Sequence, residues 1–447
     1  MMKIKNIFYI ISFVLLSSCN YLDVEPTGKV IPEKVTEFRA MMTSAYSKFP
    51  NYKHLLSLRA DETFPFTGEY SAYDRFVDFA IWNDNSPSMT ETYPWVTLYN
   101  TIFYTNSVID DVMSSEVDTY DDTKEQIKAE ALLLRAYAHF ELLNLYAVPY
   151  NASTAASDKG IPISTRIDIE QDFVRATVED VYTQILSDIE EGRGLLQVDE
   201  QPVSVKYRFS KESGLALEAR VRLYRAEWDK ALALAEELIP TCQLEDLNDA
   251  AATSPYDVSS KEAILALERV VSHDLATETY ILPALKNQYN LEEDLRVSRY
   301  FTSNGDDLVP NKCNGDNMKV TFRSGEIYLI AAEAAAHVNG KLDLAKTRLK
   351  ELVKNRLTPA YYSRKASEID GMGQEELINE IANERARELA LEGHRWYDLR
   401  RTTRPEIVKT YTNQEGKTET KTLGKDDPRY TISFPLEATT NNPNLRD

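Results

Sequence analysis

The 447-residue chain is strongly acidic, with 71 Asp and Glu residues against 51 Lys and Arg residues and a formal net charge of −20 at pH 7. Nucleic acid and anionic membrane surfaces are disfavoured partners at that charge. The three cysteines exclude a disulfide-rich scaffold, and the two that follow Cys19 are too few for a cysteine zinc site.

The N-terminus has the order of a secretory signal peptide. Two lysines precede an apolar run from Ile7 to Leu16, which is too short to span a bilayer comfortably. The run ends in Leu-Ser-Ser-Cys19, which resembles a bacterial lipobox. We therefore expect removal of residues 1–18, lipidation of Cys19 and a tether over residues 19–32, with an ordinary signal peptide as the alternative. Two or three acyl chains hold a protein durably on a membrane.

Helical periodicity dominates the rest of the chain. Apolar residues spaced by three and four predict these helices: Val35–Phe49, Trp95–Met113, Lys124–Tyr146, Val178–Leu196, Lys211–Arg225, Trp228–Ile239, Gly325–His337, Leu342–Arg356 and Gln374–Leu399. Strand-like pieces are few, such as Ala263–Val271 and Thr431–Pro435. No Gly/Ser-rich or Pro-rich linker is found, so residues 33–447 are predicted to form one domain with halves of about 33–240 and about 260–447.

Two predicted helix pairs are alike. Both Ala216–Ala231 and Ile330–Ala345 have small residues in the first helix, a short polar turn, and a second helix that opens on alanine. Tetratricopeptide-like hairpins have this plan, because each hairpin buries its apolar face only by stacking on a neighbour. The pattern predicts an all-α scaffold.

The sequence offers little for metal or cofactor chemistry. The five histidines show no pairing at three to five residues, so a zincin-type site is unsupported; they are His54, His139, His273, His337 and His394. A nucleophile elbow and a Gly-rich phosphate loop are absent from the sequence. We therefore predict no cofactor, no metal site and no catalytic residue.

The segment Glu384–Arg401 is dense in acids and arginines. Glu384, Glu388 and Glu392 recur every four residues and so share one helical face, and glycoside hydrolysis requires paired carboxylates. A general acid needs a raised pKa, however, whereas neighbouring arginines lower it. We therefore interpret the segment as a source of interhelical salt bridges.

Aromatic residues are concentrated between Phe64 and Trp82, five of them at every third position: Tyr70, Tyr73, Phe76, Phe79 and Trp82. A period of three fits neither a straight helical stripe, which drifts by about 60° per step, nor a strand, whose side chains alternate. Some of these rings are therefore expected to leave the core, with Phe76 and Phe79 expected to stay in it.

Exposed rigid rings suit sugar capture, because the apolar face of a pyranose stacks on an aromatic face while its hydroxyls bond to nearby polar side chains. The ligand-binding residues predicted in this segment are Tyr70, Tyr73, Arg75, Trp82 and Asn83. A second zone rich in predicted loops, Ser272–Asn317, contributes Tyr280 and Tyr289, which either complete the aromatic surface or pack in the core. Whether Cys242 and Cys313 pair is left open.

Several blocks of the chain resemble SusD/RagB proteins. The blocks are Cys19–Pro26, Trp95–Ile102, Glu130–Tyr137, Gly160–Pro162, Arg175–Thr177, Arg323–Ile330, Glu384–Arg401 and Asn442–Leu445. Each block alone is weakly specific, but their joint occurrence in this order is highly specific.

The resemblance implies a SusD-like fold, with four tetratricopeptide-like helical hairpins and a loop-rich ligand-binding side to which the segment after Ala60–Glu62 contributes. It implies a cell-surface outer-membrane lipoprotein that binds an oligosaccharide or polysaccharide and delivers it to a SusC-like TonB-dependent transporter. Family members that bind peptides make peptide uptake the main alternative. Two further hypotheses are a surface hydrolase and a passive lid, for which the transporter selects the cargo.

Overall fold

The protein, described as a computed structural model, is 52% helix and 9% strand. The structure describes residues 32–67, 73–84, 93–168, 170–312 and 318–446. The α-helices of this part are α1 (Val35–Ser47), α2 (Lys53–Arg59), α3 (Tyr73–Ala80), α4 (Trp95–Asp111), α5 (Lys124–Tyr146), α6 (Val178–Leu195), α7 (Lys211–Tyr224), α8 (Trp228–Leu238), α9 (His273–Glu278), α10 (Pro283–Lys286), α11 (Val297–Tyr300), α12 (Ser324–His337), α13 (Leu342–Lys354), α14 (Pro359–Gly371), α15 (Gln374–Glu388), α16 (His394–Arg401) and α17 (Leu436–Asn441).

Helix α5 is the most deeply buried long helix of the described chain. It begins after Thr123, whose hydroxyl accepts a hydrogen bond from the main-chain N–H of Gln126 at 3.1 Å. From Ala129 to Tyr146 every side chain is buried. The helix therefore packs on all sides, and its buried charges are paired, as with Arg135, which donates two hydrogen bonds to the Asp188 carboxylate.

The long helices stack on their neighbours in the chain: α4 on α5, α5 on α6, α7 on α8, and α12 on α13. The last two pairs are the predicted hairpins. Their turns contain a residue with positive φ, Ala226 at 54° and Gly340 at 74°, which reverses the chain within a few residues. The predicted all-α fold is thus confirmed.

Strands are short, and those of the described residues pair in twos, all antiparallel. They are β1 (Thr63–Pro65) with β3 (Thr279–Ile281), β2 (Ala263–Leu265) with β6 (Phe322–Arg323), β4 (Phe301–Asn304) with β5 (Asp307–Pro310), and β7 (Ile407–Thr412) with β8 (Thr418–Leu423). Such two-stranded ribbons are marginal alone and depend on packing against helices.

Two sequence predictions are wrong in detail. The predicted helix Gln374–Leu399 is split into α15 and α16, because the chain turns at Leu391 and Gly393, with φ of 65° and 78°. A Cβ at Gly393 would lie 2.7 Å from Lys53 Cβ, so only glycine fits there. The predicted strand Thr431–Pro435 is extended but pairs with no strand among the described residues.

The buried apolar side chains form two clusters. The main core is built from side chains spread along the chain between Val35 and Ile432. A separate, smaller cluster contains Phe64, Tyr73 and Tyr411. Within the described residues, no helix combines the length and the apolar character needed to cross a membrane. The small cluster lies on the side of the molecule that carries β1, β3 and α3.

Candidate functional site

Three residues of interest lie outside the described part of the chain: Cys19, the predicted lipidation site, Tyr70 and Cys313. Cys242 is a half-buried thiol. Lipidation therefore stays a prediction, and the pairing of Cys242 with Cys313 stays open. The structure places the other six predicted ligand-binding residues and divides them into a surface group and a buried group.

Strands β1 and β3 join the two predicted ligand-binding segments. Phe64 lies opposite Tyr280 in the antiparallel register. The ladder continues past β1, because the main-chain N–H of Phe66 donates to the carbonyl of Glu278 at 2.9 Å. Cross-strand neighbours on one face lie close enough for their rings to pack, so Tyr280 joins the first aromatic segment as predicted.

Five rings form a continuous surface that we call the aromatic platform: Phe64, Phe66, Tyr73, Tyr280 and Tyr411. The centroids of Phe66 and Tyr280 lie 5.3 Å apart, and those of Phe64 and Tyr411 lie 4.5 Å apart. Phe64, Tyr73 and Tyr411 are buried, whereas Phe66 and Tyr280 are half-buried. The prediction of an exposed ring is therefore wrong for Tyr73, which supports its neighbours from below. The platform therefore has three supporting rings and two rings that reach solvent.

Tyr411 is a platform member that the sequence analysis missed. Its hydroxyl donates to Glu419 at 3.0 Å across the β7–β8 hairpin, and the amide of Gln414 at the hairpin turn donates to Asp74 at 2.9 Å. The available sequence signal was the concentration of β-branched and aromatic residues in Ile407–Thr412, which is typical of a strand. Which face packs is visible only in the structure, because Val408 is exposed and Lys409 is buried. The hairpin thus holds the first turn of α3 against the platform.

Helix α3 presents Arg75 beside the platform. The Arg75 side chain is 59% exposed and lies 3.7 Å from the Glu278 carboxylate. Its guanidinium also lies over the ring of Phe76. Phe76 and Phe79 are buried, which confirms their predicted core role. Arg75 therefore offers oriented N–H donors at the surface.

The prediction that Trp82 presents an exposed ring is wrong. Trp82 is 1% exposed, and its indole N–H donates to the carbonyl of Arg59 at 2.8 Å. The chain leaves α3 at Ala80, and Trp82 has a positive φ of 59°. This left-handed conformation directs the ring inwards and leaves Asn83 at the surface.

Lys409 on β7 lies beneath the Trp82 ring, with its Nζ 4.7 Å from the ring centroid. The ammonium donates to the carbonyls of Ala80 and Leu58, at the ends of α3 and α2. Burial lowers the pKa of Lys409 to about 7, against the opposing effect of the Asp61 carboxylate. Lys409 thus fixes the end of α3 without touching the surface.

Asn83 lies at the edge of a surface cleft of about 520 Å³. Its amide donates to Asp78 at 2.9 Å. Asp84, in the same cleft, is held by two hydrogen bonds from Arg59, at 2.6 and 2.7 Å. The cleft therefore has polar walls whose geometry is fixed from the core.

Tyr289 belongs to the buried group, and the prediction of an exposed ring is wrong for it as well. It is 6% exposed, its hydroxyl donates to the carbonyl of Arg387 at 2.7 Å, and its ring packs on Phe301. Tyr289 is therefore part of the core, which was the second interpretation of this residue.

The acids of Glu384–Arg401 are buried and ion-paired, as predicted. Glu388 accepts hydrogen bonds from Arg296, Arg323 and Arg356. Burial alone would raise the pKa of Glu388, but the three guanidinium groups, led by Arg356, hold it well below its usual range. Glu384 and Glu392 have lowered pKa values for the same kind of reason. A general acid needs the opposite environment.

Two family models match the chain. The model described as "Starch-binding associating with outer membrane" matches residues 20–223, and the SusD family model matches residues 284–444. The SusD-like protein P38 of Formosa agariphila is 24% identical across 90% of this chain and 93% of its own length.

Solved structures share the fold. A SusD superfamily protein from Bacteroides fragilis superposes with a TM-score of 0.77 at 21% identity, covering 94% of this chain and all of that one. A laminarin-binding SusD-like protein gives a TM-score of 0.61 at 20% identity, covering 83% of this chain and 92% of that one. Stacked helix pairs with a few short two-stranded ribbons define a helical protein of the SusD-like fold. The chain belongs to the SusD/RagB family.

Proposed function

We propose that this protein captures an oligosaccharide or polysaccharide at the cell surface. The observation that carries the proposal is the aromatic platform, where Phe66 and Tyr280, from distant parts of the chain, present half-exposed rings side by side. The family description, starch binding in association with the outer membrane, and the laminarin-binding relative by fold support a glycan as the ligand.

The platform supplies the two kinds of contact that a sugar needs. The apolar face of a pyranose packs on the rings of Phe66 and Tyr280, which bring a large apolar area at a low entropy cost. Arg75 lies at its margin and offers N–H donors to the sugar hydroxyls. Asn83 borders the cleft at the end of α3. Tyr73 is nearly buried and supports the rings from beneath.

Anchoring and delivery complete the proposal. Cys19, as a diacylated N-terminus with residues 19–32 as a tether, holds the protein on the outer membrane with its ligand side facing out. A SusC-like TonB-dependent transporter receives the captured glycan. The lipobox-like sequence and the family's outer-membrane description support this arrangement.

The protein acts by binding, without catalysis. The acids that could suggest hydrolysis, Glu384, Glu388 and Glu392, are all buried and paired with cations. Their lowered pKa values favour a structural role.

Peptide capture is the second candidate function. The burial of Trp82 and Tyr289 favours it, since fewer rings are left for sugar stacking. The extended segment Thr431–Pro435 favours it as well, because Ser433 offers a main-chain N–H that bonds to no other described residue. Exposed main-chain groups bind peptides by strand addition.

Calorimetric titration of the chain from Asn20 to Asp447 against glucan, xylan and mannan oligosaccharides tests the proposal. We expect saturable binding to at least one glycan, which Tyr280→Ala weakens at least tenfold, or about 1.4 kcal/mol. Tyr120→Ala is the matched control, because Tyr120 is fully exposed and outside the platform. Glycan binding that survives Tyr280→Ala places the site elsewhere, and binding of peptides alone establishes the second candidate.

A further inference from the structure

A groove with a volume of about 830 Å³ is lined by none of the platform residues. One wall is the loop that contains Asn151 and Asp158, and the other is the C-terminal segment from Asp426 to Arg446. Phe434 is half-buried in the groove, packed on Tyr146 with centroids 5.6 Å apart. Ligand sites in proteins commonly have volumes of about 300–1,000 Å³, so this groove alone could hold a ligand.

The groove continues into the cleft beside Asn83. Both are lined by Pro428, Thr431 and Ser433, so the C-terminal segment forms their common border. The cleft begins where α3 ends, and the platform lies at the other end of that helix. Eight residues of helix span about 12 Å. The cleft and the groove therefore share a border, and α3 links the cleft to the platform ring Tyr73.

The charges of the groove are nearly balanced and engaged. Arg404 donates to Asp426 at 2.8 Å, and in the adjoining cleft Arg429 pairs with Asp427 at 2.7 Å. Arg175 donates to main-chain carbonyl oxygens and stacks on Phe434. Over the whole lining, four cations (Lys159, Arg175, Arg404 and Arg446) face three acids (Asp158, Asp426 and Asp427), so the charges nearly cancel.

Main-chain groups add to this polar surface. The N–H of Ile432 donates to the carbonyl of Leu145, so the next residue, Ser433, points its N–H and carbonyl the other way. Neither group bonds to another described residue, and the side chain is exposed. Ser433 therefore offers a donor and an acceptor at the junction of cleft and groove.

We propose that the groove is the continuation of the glycan site and that the ligand is an uncharged chain of several sugar units. The inference rests on the proposed function, because the platform holds one end of that chain. Nearly balanced charges and the main-chain groups of Ser433 suit hydroxyl-rich units, whereas a polyanion would be favoured by a clear excess of cations. The length of the path requires more than a disaccharide.

Titration with one glycan series from disaccharide to octasaccharide tests the inference, using neutral laminarin-type glucans first and the corresponding series of any other neutral glycan that binds. We expect affinity to rise at least tenfold along the series. Ser433→Trp, which fills the junction, removes that gain, so that the octasaccharide binds no more tightly than the disaccharide. Ser363→Trp is the matched control, because Ser363 is exposed on α14 and outside the groove.

The outcomes separate the inference from the proposed function. Equal affinity for all lengths, or a Ser433→Trp variant that binds every length as the unchanged protein does, overturns the inference alone. Preferential binding of an acidic series such as oligo-uronates overturns the choice of an uncharged ligand. If no glycan of any length binds and peptides do, both the proposed function and the inference fail.

Discussion

The helix pairs and the aromatic platform depend on sequence in different ways. Helix α5 forms where local periodicity and an N-cap threonine predict it, from Lys124 to Tyr146. The platform forms because β1 and β3 pair across a long stretch of sequence and the β7–β8 hairpin adds Tyr411 from a third region. Local rules build the scaffold, whereas long-range pairing builds the ligand side.

The two regions also differ in what a substitution should change. Scaffold residues are paired and buried, so their loss lowers stability. Phe66 and Tyr280 reach solvent, so their loss should lower affinity with little effect on folding. This contrast can be tested by substitutions ordered from the largest expected effect on stability to the smallest.

Glu388→Gln should give the largest loss of stability. The carboxylate is buried among Arg296, Arg323 and Arg356, so the variant leaves three cations undercompensated. Removing one partner of a buried ion pair costs about 3–5 kcal/mol. Urea denaturation measures the loss. Glu415→Gln is the control, because Glu415 forms an exposed pair with Lys417, which contributes little.

The same glutamate should make the protein sensitive to acid. Its pKa is lowered in the folded state, so its contribution to stability is present above the unfolded value near 4.5 and is lost as the pH falls below it. The free energy of unfolding of the unchanged protein should therefore fall steeply below pH 4.5. A Glu388→Gln variant with an unchanged stability at neutral pH would contradict the ion-pair account.

The sequence predicts the features that depend on local patterns and misses those that depend on long-range contacts. Most long helices follow from spacing, and their ends agree within a residue or two, as in Lys211–Tyr224. The split at Gly393 was missed, because the tight turn depends on contact with Lys53 from another helix. The burial of Trp82 was missed because it depends on a single positive φ after α3. Tyr280 was predicted as a binding residue from the composition of its segment. Its pairing with Phe64 was not predictable, because it joins residues that are far apart in the sequence.

Lys409 connects the two regions. Its titration should be visible as a pH dependence of the free energy of unfolding. Its pKa is about 7 when folded and about 10.5 when unfolded, so the unfolded state binds the extra proton between these values. Stability should therefore rise with pH from about 7 towards 10, by up to about 1.4 kcal/mol per pH unit. Urea denaturation at several pH values measures the slope.

Lys409→Met is the comparison that isolates this slope. The variant retains a flexible apolar side chain beneath Trp82 but cannot titrate, so the rise with pH should be reduced. Glu62, whose pKa burial raises to about 7, acts below this range and with the opposite sign, because its effect lowers stability as the pH rises from about 4.5 to 7. An identical slope in the variant would show that Lys409 is not the source. If Lys409 also positions α3, glycan affinity should fall in the variant at every pH.

Thr123→Ala should give the smallest change in stability and none in binding. The Thr123 hydroxyl caps α5 through the N–H of Gln126, and the loss of such a cap costs about 1 kcal/mol. Thr123→Ser keeps the hydroxyl and should retain most of that stability, as measured by urea denaturation. Glycan affinity should be the same in both variants, because the first turn of α5 lies in the scaffold and lines neither the platform nor the groove. A fall in affinity that follows the loss of the cap would show that the two regions are coupled, so that the scaffold does more than hold the ligand side in place.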